Sequence, residues 1–420
     1  MTENKKQIPS VKGTKDILPQ DVGKWQKLES EVKSIFELYG YREIRTPVFE
    51  TTELFEKGTG PTSDIVTKEM YTFLDKGGRS LTLRPEYTPS VVRSIIEHRL
   101  YLLPQPLRFY YSGPMFRYDK PQKGRYRQFH QVDAEVFGEK DPAIDAELVE
   151  MADLLIKTLG VGEKEIIVNS VGCRKCRPAY HADLKQKAVE SESSLCEDCK
   201  RKISVNPLRI FDCKIETCRE ISRSFPKIID YLCDECDDHF SSFCSHLEEF
   251  GILFVPDPFL VRGLDYYTKT TFEFISSRLG AQNAFLGGGR YDDMVKMFGG
   301  PDMPAIGFAL GIERLLSIMP SAEPKKSWVY IATLGDSAKK RGMALSRFFR
   351  HHGVECLIEY KNRNLKNHLS RANKLKATWA LIVGENEVKA NRYQLKTMKT
   401  GAQQEAGQEE VLNILKNKAC

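Results

Sequence analysis

The chain has 420 residues, 41% hydrophobic and 29% charged, an ordinary globular composition with room for two to four domains. Its 63 Lys+Arg against 57 Asp+Glu permit a nucleic-acid partner without requiring one. The opening MTENKKQIPS lacks the apolar core of a secretory signal, and no apolar run approaches the ~18 residues of a membrane span, so a cytoplasmic protein with no membrane partner is expected.

The Gly- and Pro-punctuated segment VKGTKDILPQ (11–20) has no helical stripe. Residues 21–40 place Trp25, Leu28, Val32, Ile35, Phe36 and Tyr39 at helical spacing, with Gly40 as the stop. YREIRTPVFE then reads as a strand with Pro47 near its end. KEMYTFLD (68–75) and RSLTLR (79–84) read as strands joined by a turn at Lys76-Gly77-Gly78. RPEYTPSVVRSIIE follows, and a helix starts near Val91. Glu86 and Thr88 stand at the junction, where Thr88 is either a helix cap or, with Glu86, part of a clamp for an ammonium group.

Residues 107–137 read as a long hairpin, LRFYYSGPMFRY and QFHQVDAEVFG, around the cationic loop YDKPQKGRYR. Alternation puts Phe129, Gln131, Asp133 and Glu135 on one face of the second strand. Such a face makes poor core and needs polar partners, from the protein, a ligand or water. DPAIDAELVEMADLLIKTLG (141–160) is a structural helix with Asp141-Pro142 at its start.

Residues 172–250 change character. Of the chain's 11 cysteines, nine lie between Cys173 and Cys244. Cys173-x-x-Cys176 and Cys196-x-x-Cys199 have the spacing of two knuckles on one tetrahedral zinc ion. Cys213, Cys218, Cys233 and Cys236 offer a second set, with His239 and Cys244 in reserve. Buried reduced thiols are the other reading.

FLVRGLDYYTKTTFEF (259–274) leads Arg262, Asp265, Tyr266 and Tyr267 into an alternating strand suited to a pocket wall, or to a half-exposed sheet edge. Gly287–Gly289 permit close backbone approach, with Arg290 and Tyr291 beyond them. PAIGFALGIERLLSIM runs from a Gly-rich strand into a helix with Arg314 in its first turns. A cation there is electrostatically unfavourable as mere decoration. After a polar linker, SAEPKKS (321–327), strands and helices alternate as in a small α/β domain with a parallel or mixed sheet. Residues 328–420 hold 17 Lys+Arg against 8 Asp+Glu, more than the whole chain's excess.

RGLDYYTKTTFEF and RYRQFHQ followed by EVF closely resemble peptides of the histidyl-tRNA synthetases, and the helix–strand–Pro, the hairpin and GIERL resemble motifs 1, 2 and 3 of class II aminoacyl-tRNA synthetases. The resemblance, to the bacterial type, spans essentially the whole chain. It implies an α+β protein: an antiparallel-sheet catalytic domain with helices in two parts (1–171 and 251–320), a cysteine-rich insertion (172–250) that helps hold the tRNA acceptor stem, the linker 321–327, and an α/β anticodon-binding domain (328–420). It implies ATP and Mg2+, L-histidine and tRNA(His) as partners, and a homodimer built through motif 1. Arg117 and Arg262 would be catalytic. Arg117, Arg125, Phe129 and Arg314 would bind ATP. Glu86, Tyr87, Thr88, Gln131, Glu135, Tyr266 and Tyr267 would bind histidine, with Tyr87 at a variable place in the pattern. Loop 118–124 would approach the acceptor end. Any Zn2+ on Cys173, Cys176, Cys196 and Cys199 would be structural. Asp293 stands where the family commonly has Gly. The alternative is a non-catalytic paralogue, the regulatory subunit of ATP phosphoribosyltransferase, which typically lacks both the basic C-terminal domain and the ATP arginines. A third reading is a zinc-dependent nucleic-acid-binding module without activity, which leaves Glu86, Gln131, Glu135 and Tyr267 unexplained.

Overall fold

The computed structural model describes residues 8–60, 63–120, 124–280, 283–320 and 328–417. The linker 321–327 and the centre of loop 118–124 lie outside them. The chain forms two compact units, 1–321 and 322–420.

The first unit opens with α1 (Pro19–Leu38), β1 (Arg42–Glu43), β2 (Phe49–Thr51), α2 (Thr52–Thr59), β3 (Tyr71–Leu74), β4 (Ser80–Leu83) and α3 (Thr88–Glu97). The hairpin is β5 (Leu107–Phe116) and β6 (Gln128–Phe137), followed by α4 (Pro142–Thr158) and β7 (Glu165–Ser170). The cysteine-rich segment is helical: α5 (Arg177–Glu190), α6 (Glu197–Val205), α7 (Glu216–Ser222) and α8 (Asp234–Glu249). The unit closes with β8 (Val255–Pro256), β9 (Thr268–Ile275), β10 (Ala284–Arg290), α9 (Met294–Met297), β11 (Ala305–Gly311) and α10 (Ile312–Ile318).

Eight strands join in the order β1-β5-β6-β11-β10-β9-β7-β8, antiparallel from β5 through β7 and parallel at both outer pairs. One face of this sheet packs on α1, α4 and α8 through Leu28, Phe36, Leu148, Leu155, Phe243 and Phe272. The Asp141 carboxylate caps α4 by accepting from the Ala143 amide at 2.8 Å. The other face is open at its centre.

Two strand expectations change. YREIRTPVFE does not run as one strand: β1 belongs to the large sheet and β2 to a three-stranded sheet with β4 and β3. The break is held by Arg84, which is 1% exposed and donates through Nη1 to the Thr46 and Pro47 carbonyls at 3.1 and 3.2 Å. The segment 68–75 begins as a π-helical turn, Ile65–Glu69, whose last carbonyl accepts from the Tyr118 amide at 2.6 Å, so the strand starts only at Tyr71.

Arg290 is a pillar of this unit. Its guanidinium meets the Asp145 carboxylate on α4 at 2.6 Å, and both side chains are essentially inaccessible. His239 of α8 joins at 2.9 Å. Burial alone would raise the Asp145 carboxyl, but the Arg290 charge and the His239 hydrogen bond outweigh it and hold the pKa below the usual range.

The second unit contains β12 (Val329–Thr333), α11 (Asp336–His351), β13 (Cys356–Ile358), α12 (Leu365–Lys374), β14 (Trp379–Val383), α13 (Glu385–Ala390), β15 (Tyr393–Thr397), β16 (Gln403–Ala406) and α14 (Gln408–Asn417). Its sheet is mixed, in the order β13-β12-β14-β15-β16. β13, β12 and β14 run parallel, and β14, β15 and β16 antiparallel. The short helix α13 is an addition to the sequence reading.

Replacing Arg290 by Met leaves a buried carboxylate without its main counter-charge. The expected loss is about 3–5 kcal/mol in the first unfolding transition of the ligand-free protein, measured by urea denaturation. A loss below about 1 kcal/mol would remove the pair from this structural role.

Candidate active site

The open face of the large sheet is built from two complementary rows. On β6, Gln131, Asp133 and Glu135 share a face. In register on β11 stand Gly311, Ala309 and Gly307. Gly287 and Gly289 of β10 continue the small-residue lane opposite Ala309 and Gly307. A Cβ at Gly307 would lie 1.7 Å from the Glu135 carboxylate, and one at Gly287 would lie 2.4 Å from the Arg262 guanidinium. Only glycine leaves room there for long polar side chains from neighbouring strands. Above the lane is a cavity of about 680 Å3, the size of a small-molecule site.

Part of the cavity lining is acidic. Glu135 accepts from the Thr88 hydroxyl at 2.6 Å and from the Tyr291 hydroxyl. Glu86 accepts from Tyr266 at 3.0 Å and from Thr59. Burial raises all three carboxyls, Glu86, Asp133 and Glu135. Glu135 reaches about 8, because desolvation and the Glu86 charge outweigh the hydrogen bonds from Thr88 and Tyr291. Gln131 Oε1 and Asp133 Oδ1 are buried without a hydrogen-bond partner among the described residues. Such atoms suit a ligand that brings donors.

The same cavity is also lined by arginines. Arg117 lies 5.2 Å from the centre of the Phe129 ring, and its Nε donates to the Pro85 carbonyl at 2.8 Å. Arg125 pairs with Asp119 at 2.9 Å. Arg314, in the first turn of α10, donates to the Ala284 carbonyl at 2.6 Å and to Gly124 at 3.3 Å. Burial, then the charges of Arg125 and Arg117, lower its pKa. Arg262 pairs with Glu273. Burial works against its charge, but Glu273 holds its pKa above the ordinary value. Its Nε has no acceptor among the described residues. Mutually repelling cations in one partly desolvated cleft favour a polyanion.

The structure therefore brings Glu86, Tyr87, Thr88, Arg117, Arg125, Phe129, Gln131, Glu135, Arg262, Tyr266, Tyr267 and Arg314 around one cavity. Two expectations change. Tyr87 borders the cavity, but its ring stacks on Tyr111 at 3.6 Å and its hydroxyl donates to the Ile44 carbonyl at 2.7 Å, so its polar side-chain atom is already committed. The cysteines also group differently. Cys173 and Cys176 meet Cys233 and Cys236, while Cys196 and Cys199 meet Cys213 and Cys218. The segment folds back so that its two ends meet, which linear spacing did not reveal. His239 and Cys244 belong to neither cluster. Thr88, read as a helix cap or a ligand group, is the first residue of α3, and its hydroxyl goes to Glu135. Tyr291, which stands beyond the glycine triplet, orients Glu135, while Thr59, which donates to Glu86, carried no local signal.

A cavity lined by both a buried acidic cluster and arginines, over an antiparallel sheet bounded by a motif 2 hairpin and a motif 3 arginine helix, is the catalytic body of a class II aminoacyl-tRNA synthetase. Comparison narrows this. Residues 13–315 match the family described as histidyl-tRNA synthetase, and 328–418 match the anticodon binding domain. The histidine–tRNA ligase of Halothermothrix orenii is 46% identical over 403 residues, covering 95% of this chain and 96% of that one. The ligase of Caldanaerobacter subterraneus is 46% identical over 411 residues, covering 97% and 99%. The apo crystal structure of S. aureus histidyl-tRNA synthetase superposes with a TM-score of 0.82 at 35% identity, covering 98% and 100%. The chain belongs to the histidyl-tRNA synthetase family.

Ionisation of Glu135 is disfavoured in the ligand-free fold. The stability it contributes is fully present below its unfolded value of 4.5 and is lost as the pH rises through about 8. Glu135→Gln should remove that loss. Thermal unfolding of the two proteins across this range should show the variant gaining on wild type as the pH climbs, by up to a few kcal/mol. Parallel curves would contradict a raised Glu135.

Proposed function

We infer that the protein activates L-histidine with ATP and transfers it to the 3′ end of tRNA(His). The observation that carries this reading is that a single cavity is lined both by an acidic cluster, Glu86, Asp133 and Glu135, and by the arginines Arg117, Arg125, Arg262 and Arg314. Free histidine is a small cation-bearing amino acid and ATP a polyanion, so the one takes the acidic cluster and the other the arginines.

The histidine ammonium takes Glu86, Thr88 and the open Gln131 Oε1. The imidazole lies between Glu135 and Tyr267, where buried polar groups discriminate against rings that leave them unpaired. Glu135 loses its proton when the cationic ligand arrives, because a positive charge lowers its pKa. Adenine stacks on Phe129 below Arg117. Arg117 and Arg262 hold the α-phosphate and the substrate carboxylate, and Arg125 and Arg314 hold the outer phosphates. ATP comes with its magnesium counter-ion, which neutralises phosphate charge.

The histidine carboxylate oxygen bonds to the α-phosphorus, and the bond to the bridging oxygen breaks, releasing pyrophosphate. The nucleophile is already ionised, so no general base is needed. Rate derives from alignment and from fixed cations where charge builds up. In the second step a terminal ribose hydroxyl attacks the carbonyl carbon and AMP leaves. Loop 118–124 and the insertion receive the acceptor end, and the basic second unit receives the anticodon, where phosphate neutralisation accounts for its charge. A homodimer joined through α1 and the strand after it, working in the cytoplasm, completes the reading. Among the described residues no helix is long and apolar enough to cross a membrane. Full-length similarity to histidine–tRNA ligases, together with the retained arginines, disfavours the regulatory paralogue.

ATP–pyrophosphate exchange tested with each standard amino acid should proceed with histidine alone. No exchange with any of them, from folded protein with magnesium, would overturn the reading. Arg262→Ala should lower the exchange rate by about 10²–10³ while ATP binding measured by calorimetry changes far less. Equal losses in both would remove Arg262 from the transition state.

A further inference from the structure

Eight cysteines of the insertion form two compact sulfur clusters. In each, the four Sγ atoms lie within 4.8 Å of one another. Cys173 Sγ is 3.6 Å from Cys176 Sγ and 3.9 Å from Cys233 Sγ, and Cys196 Sγ is 3.9 Å from Cys213 Sγ. Four thiolates around a tetrahedral zinc at ~2.3 Å stand about 3.8 Å apart, so these separations match a metal centre. They exceed a disulfide bond of about 2.05 Å, and all eight cysteines are free.

The backbone supports the same reading. Cys196 and Cys233 occupy the N-cap positions of α6 and α8, and Cys176 that of α5. Amides point at the sulfurs: Lys175 at Cys173 (3.3 Å), Cys233 at Cys176 (3.2 Å), Cys199 at Cys196 (3.4 Å) and Cys196 at Cys218 (3.3 Å). Amide donors compensate thiolate charge and orient the ligands. Five of the eight cysteines are buried: Cys176, Cys199, Cys213, Cys218 and Cys236.

We propose that the insertion holds two nested tetrathiolate zinc sites, an outer one on Cys173, Cys176, Cys233 and Cys236, and an inner one on Cys196, Cys199, Cys213 and Cys218. The inner ion completes a small core of Tyr180, Leu184, Ile203, Ile210 and Phe225, into which Cys199, Cys213 and Cys218 already pack. A core this size folds stably with a metal staple. The outer ion clamps the neck where the chain leaves and rejoins the catalytic body. Beside the neck, Arg177 donates to the Val171 carbonyl at 3.1 Å and to the carbonyl of Tyr267, which lines the cavity.

Metal content decides the connectivity. The full-length protein, purified without a metal-affinity step, should carry two zinc ions per chain by plasma mass spectrometry. The double variant Cys176→Ser with Cys236→Ser breaks one site twice and should retain one zinc. Cys176→Ser with Cys199→Ser breaks both sites and should retain none. The reverse pattern would overturn the nesting in favour of a site shared by Cys173, Cys176, Cys196 and Cys199. Iron in place of zinc, or no metal, would overturn the proposal. Where a variant does not fold, cobalt(II) titration of metal-stripped wild type replaces it. Two equivalents with tetrahedral thiolate absorption support the sites, and absence of that absorption refutes them.

Discussion

The site depends on one steric and electrostatic constraint: long carboxyl side chains on β6 stand opposite a lane of glycines on β11 and β10. Glu135 occupies the space a Cβ at Gly307 would take, and Arg262 the space over Gly287. The sheet thus provides a floor of bare backbone with acids and a guanidinium leaning over it. With larger residues in the lane, Glu135 would be driven off Thr88 and Tyr291, and the acidic part of the cavity would lose its shape.

Such a floor is costly without a ligand. Three buried carboxyls near one another disfavour ionisation, and Arg314 is depressed by burial and by Arg125 and Arg117. The ligand-free cleft therefore holds carboxyls that resist ionisation and one arginine, Arg314, depressed by burial and by its neighbours, while Arg125 and Arg262 are paired with Asp119 and Glu273. A ligand pair carrying an ammonium and phosphates would relieve both conditions at once. The Arg290–Asp145 pair and the packed helices back the sheet that carries these groups.

What could be read from the chain was local in period. Alternation alone put Gln131, Asp133 and Glu135 on one face, and the position of Arg314 near its helix start set it apart from an ordinary surface cation, which the structure matches by placing it on the cavity. What could not be read depends on contacts between distant segments. Tyr87 has no sequence feature that separates a ligand group from a core residue; its ring stacks on Tyr111 and its hydroxyl is engaged by Ile44, contacts that only the folded chain shows. The break after β1 depends on Arg84, some forty residues downstream of Thr46, reaching back to two carbonyls. Three Cys-x-x-Cys pairs are equivalent in spacing, so which pairs share an ion is a property of the folded loop.

The strand order also governs when the cavity can exist. β11 lies between β6 and β10, so the glycine facing Glu135 is residue 307, made long after the hairpin has left the ribosome. Between the two comes the whole insertion. Until synthesis passes Gly311, the acidic row of β6 has an unpaired edge and the cationic helix does not exist. Non-local pairing of this kind slows folding and prolongs exposure of strand edges. A cysteine-rich segment that closes its own neck brings β7 and β9 within reach of each other. It thereby shortens the effective loop that the nascent chain must close before the catalytic sheet is complete.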